Sequence, residues 1–497
     1  MASGGLFRPG SELFLQYPEK PQATRVLYRG LVTTGGAYRV AAKFRDPSLH
    51  TEPGTTLRVY FNQGHRFSMQ LAQVLTTISQ FWLRYGIYLL AVLLALVLAV
   101  FLVNKHNTFN TRTYDFARFS QAIWNTLQGR LLFTTIDARS ILGNHFSPYM
   151  ALLAPLFWLW PDERVLFFVQ AVSVAAAGLI LALIVRRRQP SLAPWFMLAY
   201  ALNPAIHQLA LVEFRRIVLA MPFLALALFG LAEKRRWLML AASLIALLAK
   251  EDVGLFVFGV GLFLLIFQRD WRWGLGMILL GFGWSLIISF WVIPLFRAPG
   301  TEYPQLYYFD YLGSSYAEII GTLQQDPLVI PRQLFSLERL SALWRIFLPL
   351  GLFLPFLGAD WLLIALPPLL LLLLSGDVEM YSLQKWYPAT VLPVLFAASA
   401  AGLGRLAIAR ARWLTVWLLY AALLGYWLYS PLPGGGAYEP ALYAVSDHDR
   451  LGLALAQEIP PSASVATQPH YTPHLALREN IYHYPWIKIG AENIDYF

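Results

Sequence analysis

Cysteine is absent from this 497-residue chain, which excludes disulfides, thiolate metal sites and cysteine nucleophiles. Charge is scarce: Asp, Glu, Lys and Arg make up 13% of the residues, against about 25% in an average soluble chain. Only 7 of the 38 basic residues are lysine. There is no glycine fingerprint for a nucleotide, no basic stripe interleaved with aromatics for a nucleic acid, and no clear internal repeat of the kind transporters carry. What is abundant is apolar. Hydrophobic residues make up 57% of the chain and the mean hydropathy is +0.52. A soluble protein of this composition could not cover its surface with polar groups, and disorder, collagen and coiled coil are excluded by the same figures. The remaining class is an α-helical polytopic membrane protein. Its net charge of +10 then reports topology and anionic lipid, with membrane lipid as a partner and no nucleic acid expected.

Residues 1–78 differ from the rest. Short alternating runs, Glu12-Leu13-Phe14-Leu15-Gln16-Tyr17, Thr24 to Gly30, Ala37-Tyr38-Arg39-Val40, Thr56 to Phe61 and Arg66-Phe67-Ser68-Met69, are separated by Gly, Pro and Asn turns. Period-2 alternation predicts a small cytoplasmic β-barrel-like domain, a docking or regulatory module with a capacity for protein partners. It resembles the N-terminal barrel that accompanies the PilZ domain of flagellar-brake proteins. The Arg-x-x-x-Arg and Asp/Asn-x-Ser-x-x-Gly signals of the PilZ partner are missing, so no ligand is carried over.

From residue 86 the pattern becomes long apolar runs. A span needs about 20 residues to cross a core of about 30 Å. Eleven spans are expected, near 86–104, 164–185, 191–212, 217–232, 237–249, 253–267, 274–296, 343–357, 361–375, 387–404 and 413–429. With the N-terminus inside, the dense basic clusters fall on the cytoplasmic side: Arg84, Arg186-Arg187-Arg188, Lys234-Arg235-Arg236, Arg269 with Arg272, and Arg405, Arg410 and Arg412. Arg215-Arg216 alone breaks this trend. The orientation is therefore N-in and C-out, with a transmembrane domain over 79–429. Residues 105–163, 297–342 and 430–497 lie on the outer face, and long loops carry function. In the outer α/β segment 430–497, Ser464 to Thr467 reads as a strand and His474 to Leu477 as a short helix. The chain ends at Ile494-Asp495-Tyr496-Phe497, which reads as the start of a buried strand, so a longer natural protein is expected.

Four polar clusters interrupt the apolar background on the outer side. In the first, Phe116, Phe119, Ile123 and Leu127 form one stripe, expected of a helix lying in the membrane interface. Tyr114-Asp115 stands at its start, where a carboxylate is favoured by the helix N-terminus and could equally serve as a cap. Leu142-Gly143-Asn144-His145-Phe146-Ser147-Pro148 follows. The second cluster, Lys250-Glu251-Asp252, breaks a run from Trp237 to Phe267. Fifteen residues rise only about 22 Å, so these charges should lie shallowly in the membrane. There they either pin a helix break or face a polar cavity. In the third, Glu213-Phe214-Arg215-Arg216, the guanidinium groups could bind a phosphate bidentately or snorkel. The fourth, Asp377 to Tyr387, contains Lys385.

Tyr114-Asp115 with Gln121-Ala122-Ile123-Trp124-Asn125-Thr126, Asn144 to Pro148, Lys250-Glu251-Asp252 and Pro473-His474-Leu475-Ala476-Leu477-Arg478 together resemble a family of bacterial multi-span membrane proteins known by a domain of unknown function. The resemblance covers about 86–497. Through that family the chain resembles the C-type glycosyltransferases, which share an acidic residue in the first outer loop and act on polyprenyl-phosphate-linked sugars. The resemblance implies a C-type fold in the bacterial inner membrane. It implies an inverting transfer from a lipid-linked donor on the outer face, with Asp115 as base and Glu251 or Asp252 as second carboxylate. Lys250, Arg215 and Arg216 would bind the phosphate, with His145, Tyr114 and Lys385 as further substrate-binding candidates. His145 could orient Asp115, ligate a metal or be structural. A divalent metal is a candidate cofactor with no ligand set assigned. Two departures stand out. The family pattern Asp-Phe-His-Pro is Glu213-Phe214-Arg215-Arg216 here, and a His-Tyr pair is Trp386-Tyr387. Loss of both histidines supports the alternative, a non-catalytic membrane subunit or scaffold of a larger complex.

Overall fold

The computed structural model of the chain describes residues 12–17, 20–34, 37–42, 63–297, 304–485, 487 and 494–496. The chain divides into two units, residues 1–81 and 82–497. In the first, β1 (Glu12–Tyr17), β2 (Lys20–Thr34) and β3 (Ala37–Ala42) form an antiparallel sheet in the order β1-β2-β3. Leu13 pairs with Val26 and Leu31 with Val40. The fourth expected strand, Thr56 to Phe61, lies outside the described residues. The fifth is not a strand. Arg66 to Met69 belongs to helix α1 (Gln63–Asn107). After Gly64 no Gly or Pro occurs until Gly86, and Gln, Leu and Ala fill the interval. Four alternating residues do not outweigh such a run of helix formers.

The second unit is a packed set of apolar helices. Five are long and apolar enough to cross a membrane, Val74–Asn107, Val165–Arg188, Trp271–Leu295, Leu354–Leu373 and Ile408–Tyr429, judged by length and composition. Shorter apolar helices fill the gaps, at Pro148–Leu159, Arg216–Ala232, Arg236–Leu247, Val253–Ile266 and Leu392–Gly404. Two expected spans take another form. Residues 343–357 do not make one helix: α2 (Leu337–Phe347) stops at Pro349 and at Gly351, which adopts φ 71°. Residues 191–212 split into two short helices at Asn203, whose side chain caps the second by accepting from Ala205 N, with Pro204 at its first position. Proline fixes the new start and cannot continue the old helix.

Buried Leu, Val, Ala and Phe from these helices form one continuous core. Close approach is set by glycine where α3 (Val253–Ile266) meets α4 (Trp271–Ile287). A Cβ on Gly254 would collide with the Gly281 carbonyl, and one on Gly281 with the backbone of Gly254 and Phe258. Small residues let membrane helices approach in this way. The contact matters for position, because α3 begins directly after Lys250-Glu251-Asp252.

In the C-terminal segment, β4 (Val465–Thr467) and β5 (Ile481–His483) pair in parallel, and Tyr496 bridges Val465 on the other side.

Candidate functional site

A cavity of about 690 Å³ is lined by parts of all four polar clusters. Ligand pockets of about 300–1,000 Å³ are the usual size. Its wall carries Arg118, Arg215, Arg216 and Lys250 as cations, Glu251 and Asp252 as carboxylates, and His145, Trp386 and the tyrosines Tyr307, Tyr308 and Tyr387. Leu255, Leu306, Phe309, Leu312 and Leu371 supply apolar surface between them. Four cations stand against two carboxylates on the wall, and Asp115 and Asp137 just off it pair with Arg215 and Arg118.

Each charge is held by a local device. Lys250-Glu251-Asp252 is the turn between Arg236–Leu247 and α3. Ser285 Oγ on α4 donates to the Glu251 carbonyl at 2.8 Å, so the glycine contact of the two helices also fixes this turn. The side chains do not lie bare in the apolar medium: Lys250 Nζ donates to Asp252 Oδ2 at 2.5 Å. His145 Nδ1 meets Glu251 Oε1 at 2.5 Å and Phe146 N donates to Glu251 Oε2 at 3.2 Å. Burial pushes the His145 imidazole down to about 3, outweighing the nearby Glu251 carboxylate. Facing a carboxylate oxygen, Nδ1–H donates to Glu251. A carboxylate with both oxygens engaged is the arrangement that makes burial of charge tolerable.

The arginines are set by a hydrogen-bonded corner. Gln170, buried on helix Val165–Arg188, donates to the Ala210 and Glu213 carbonyls and accepts from Arg215 N at 2.7 Å. This clasp turns the chain so that Arg215 and Arg216 follow one another onto the wall. Arg215 is buried, ion-paired to Asp115, and its guanidinium carbon lies 3.2 Å from the ring centroid of Trp386. Both departures from the family pattern thus meet in space, a cation–π pair standing where two histidines were expected. Arg216 is different. Among the described residues it has no carboxylate within ion-pair distance, and its Nε is buried with no hydrogen-bond partner. Glu213 accepts from Arg112 N at 3.2 Å. Burial pushes its carboxyl up to about 8, with the negative Asp115 as the second cause.

Asp115 itself is not on the cavity wall. It lies in the turn Thr113–Ala117, partly exposed, joined to the wall through Arg215. Tyr114 packs edge-on to His483 at 5.0 Å, and Lys385 pairs with Glu379; neither lines the cavity. The stripe expected in the membrane interface is instead core. Phe116, Phe119 and Ile123 are fully buried: Phe116 stacks on Phe167 at 4.4 Å and meets His106 edge-on, and Phe119 meets Phe214 edge-on, while from the other face of the helix Arg118–Leu127 Gln121 Nε2 donates to the Arg478 and Glu479 carbonyls. An amphipathic pattern gives the apolar face but not what covers it. The apolar surface left open in this loop belongs to Leu152, Trp158 and Leu159. Sequence reasoning missed Arg118 and the tyrosines of 307–308. Arg118 carried a signal, a cation one helical turn beyond Asp115.

The chain matches, over residues 105–496, the family described as predicted membrane protein (DUF2079). No curated protein matches. Solved structures similar to it include ArnT from Cupriavidus metallidurans bound to undecaprenyl phosphate, at 15% identity and a TM-score of 0.44. The apo form of the same protein is similar at 16% and 0.45. In each case the likeness covers 80% of this chain and 86% of the other.

Proposed function

We propose that this chain, which belongs to the DUF2079 family of predicted membrane proteins, is a glycosyltransferase-like protein of the bacterial inner membrane that transfers a sugar from a polyprenyl-phosphate donor on the outer face. The observation that supports this reading is Arg216: a half-buried arginine whose Nε is buried without a hydrogen-bond partner and which has, among the described residues, no carboxylate within ion-pair distance, on the wall of a cavity whose remaining surface is largely apolar. A partly buried cation calls for an anion, and a planar fork suits phosphate oxygens. Apolar surface beside an anion site suits a lipid carrying a phosphate better than a soluble sugar nucleotide.

The chemistry follows from this placement. An acceptor hydroxyl attacks the anomeric carbon, its new C–O bond forms as the bond to the phosphate oxygen breaks, and polyprenyl phosphate leaves with the electron pair. Inversion results. Asp115 takes the hydroxyl proton as general base. Arg216, Arg215 and Lys250 stabilise the charge that gathers on the leaving phosphate. Glu251 holds His145, and Asp252 holds Lys250. Asp115→Asn and Arg216→Ala, in folded protein supplied with a panel of polyprenyl-phosphate sugars, test the reading. Both are expected to lower transfer at least 100-fold. Unchanged transfer in Asp115→Asn removes that residue from the mechanism.

The second reading is a non-catalytic membrane subunit. It is favoured by the pairing of Asp115 with Arg215 off the cavity wall. Absence of transfer by the unmutated protein across the donor panel, with anion binding retained, decides for it.

A further inference from the structure

Away from the cavity, three side chains with metal-ligating atoms come together from distant parts of the chain. His106 stands in the last turn of α1, Glu163 just before the helix Val165–Arg188, and His474 in the short turn Thr472–Leu475. One ligand atom from each lies within 4.8 Å of the others. His106 is 1% exposed. Its Nδ1 meets Thr111 Oγ1 at 2.9 Å and its Nε2 meets Glu163 Oε1 at 2.9 Å. The His474 ring stacks on it, with centroids 3.9 Å apart and planes 25° apart. The Nε2 of His474 is buried and has no hydrogen-bond partner. Phe116, Phe167 and Phe109 wall the group, the first two edge-on to His106 and the third 4.3 Å from His474.

We propose that His106, Glu163 and His474 form a zinc site that fastens the C-terminal segment to the end of α1. Electron-pair accounting supports it. When Nδ1–H of His106 donates to Thr111, its Nε2 presents a lone pair to a carboxylate oxygen. The orphaned nitrogen of His474 adds another. Three acceptors facing one another call for a cation between them, and two imidazoles with one carboxylate are a zinc donor set, with water as fourth ligand. Bonds of about 2.0 Å put tetrahedral ligand atoms about 3.3 Å apart, so the widest separation closes by up to about 1.5 Å and the 2.9 Å contact of His106 with Glu163 opens slightly. Thr111 is the outer partner that fixes the imidazole tautomer, and the aromatic wall supplies the dry shell. The fastened loop also carries Asp115: Thr113 Oγ1 bonds Thr472 Oγ1 at 3.0 Å and His470 Nδ1 donates to the Phe109 carbonyl at 2.7 Å.

Full-length protein purified in detergent is equilibrated with zinc, dialysed, and assayed for metal by mass spectrometry. The apo protein is then titrated with cobalt(II) and followed by visible absorption. One zinc per chain and an intense, tetrahedral cobalt spectrum are expected. Glu163→Gln, which keeps the side-chain shape, should lose the metal, and Thr111→Val should weaken binding by about 10- to 100-fold. Hydrogen exchange around 107–117 and 470–478 should rise when a chelator strips the unmutated protein, a measurement that requires no variant to fold. Less than a tenth of an equivalent of zinc in the unmutated chain overturns the proposal, as does equal binding by Glu163→Gln.

Discussion

Replacing His145 by alanine leaves Glu251 in place, 5% exposed, with Oε1 stripped of its 2.5 Å partner and Oε2 still held by Phe146 N at 3.2 Å. Hydrogen bonds to charged groups contribute about 1.5–3 kcal/mol. Removing one partner of a buried pair costs about 3–5 kcal/mol, since the other charge stays desolvated. His145 sits on a cavity wall, where water can reach the vacated oxygen, so the lower end, about 3 kcal/mol, is expected. Glu251→Gln keeps the shape and the acceptor for Phe146 N, and should cost about 1–2 kcal/mol. In the double variant the two losses should not add: a coupling of about 1.5–3 kcal/mol measures the pair. The assay is reversible unfolding in mixed micelles, with all four proteins at one pH and salt concentration. Residues without a shared interaction add within about 0.5 kcal/mol. Additivity at that level would refute the pairing, and with it the view that Glu251 serves to hold His145.

Gly254→Leu should destabilise the protein by more than 3 kcal/mol, because the new side chain meets the Gly281 carbonyl and Ser285; a shift under 1 kcal/mol in micelle unfolding would count against the helix contact. Trp386→Ala should weaken Arg215 packing by about 2 kcal/mol, and a cycle with Arg215→Met should recover most of that as coupling. Glu213 gives a pH prediction. Its carboxyl is held up to about 8 when folded, by burial first, against about 4.3 unfolded. The folded state therefore keeps a proton that the unfolded state releases, and stability falls as pH rises between those values, by at most about 1.4 kcal/mol per unit. Glu213→Gln, read by unfolding at pH 5 and pH 8, should gain on the unmutated protein across that window; a constant difference would remove Glu213 from the account.

How far the sequence reached depended on whether a feature was local. The apolar runs, the break at Lys250-Glu251-Asp252 and the isolated Arg215-Arg216 are visible within a dozen residues, and each marks a wall of the cavity. Helix continuity was harder. Composition over 343–357 reads as a span, but Pro349 and the positive φ of Gly351 divide it, and hydropathy windows do not register a turn. The stripe of Phe116, Phe119 and Ile123 gave the correct face and the wrong medium. Its cover comes from Phe167 and Phe214, on segments further along the chain, and from His106 before it. The grouping of His106, Glu163 and His474 was illegible for the same reason, since no spacing rule joins ligands that distant.

The Asp115–Arg215 pair bears on the proposed chemistry more than its place off the wall implies. An aspartate tied to a buried guanidinium has lone pairs already engaged, so it is not free to meet an acceptor hydroxyl. Arg215 also faces the cavity. A phosphate entering beside Arg216 would share with Asp115 the same guanidinium, whose charge it would help to neutralise. Donor binding would then loosen the hold on Asp115 at the moment a proton must be taken, and the resting pair would keep an idle carboxylate engaged. Trp386 makes such a shift inexpensive, since its ring holds the guanidinium in plane whichever anion the guanidinium faces. Under the proposed function, Arg215 and Trp386, standing where two histidines are expected, would handle the charge of the donor in place of those histidines.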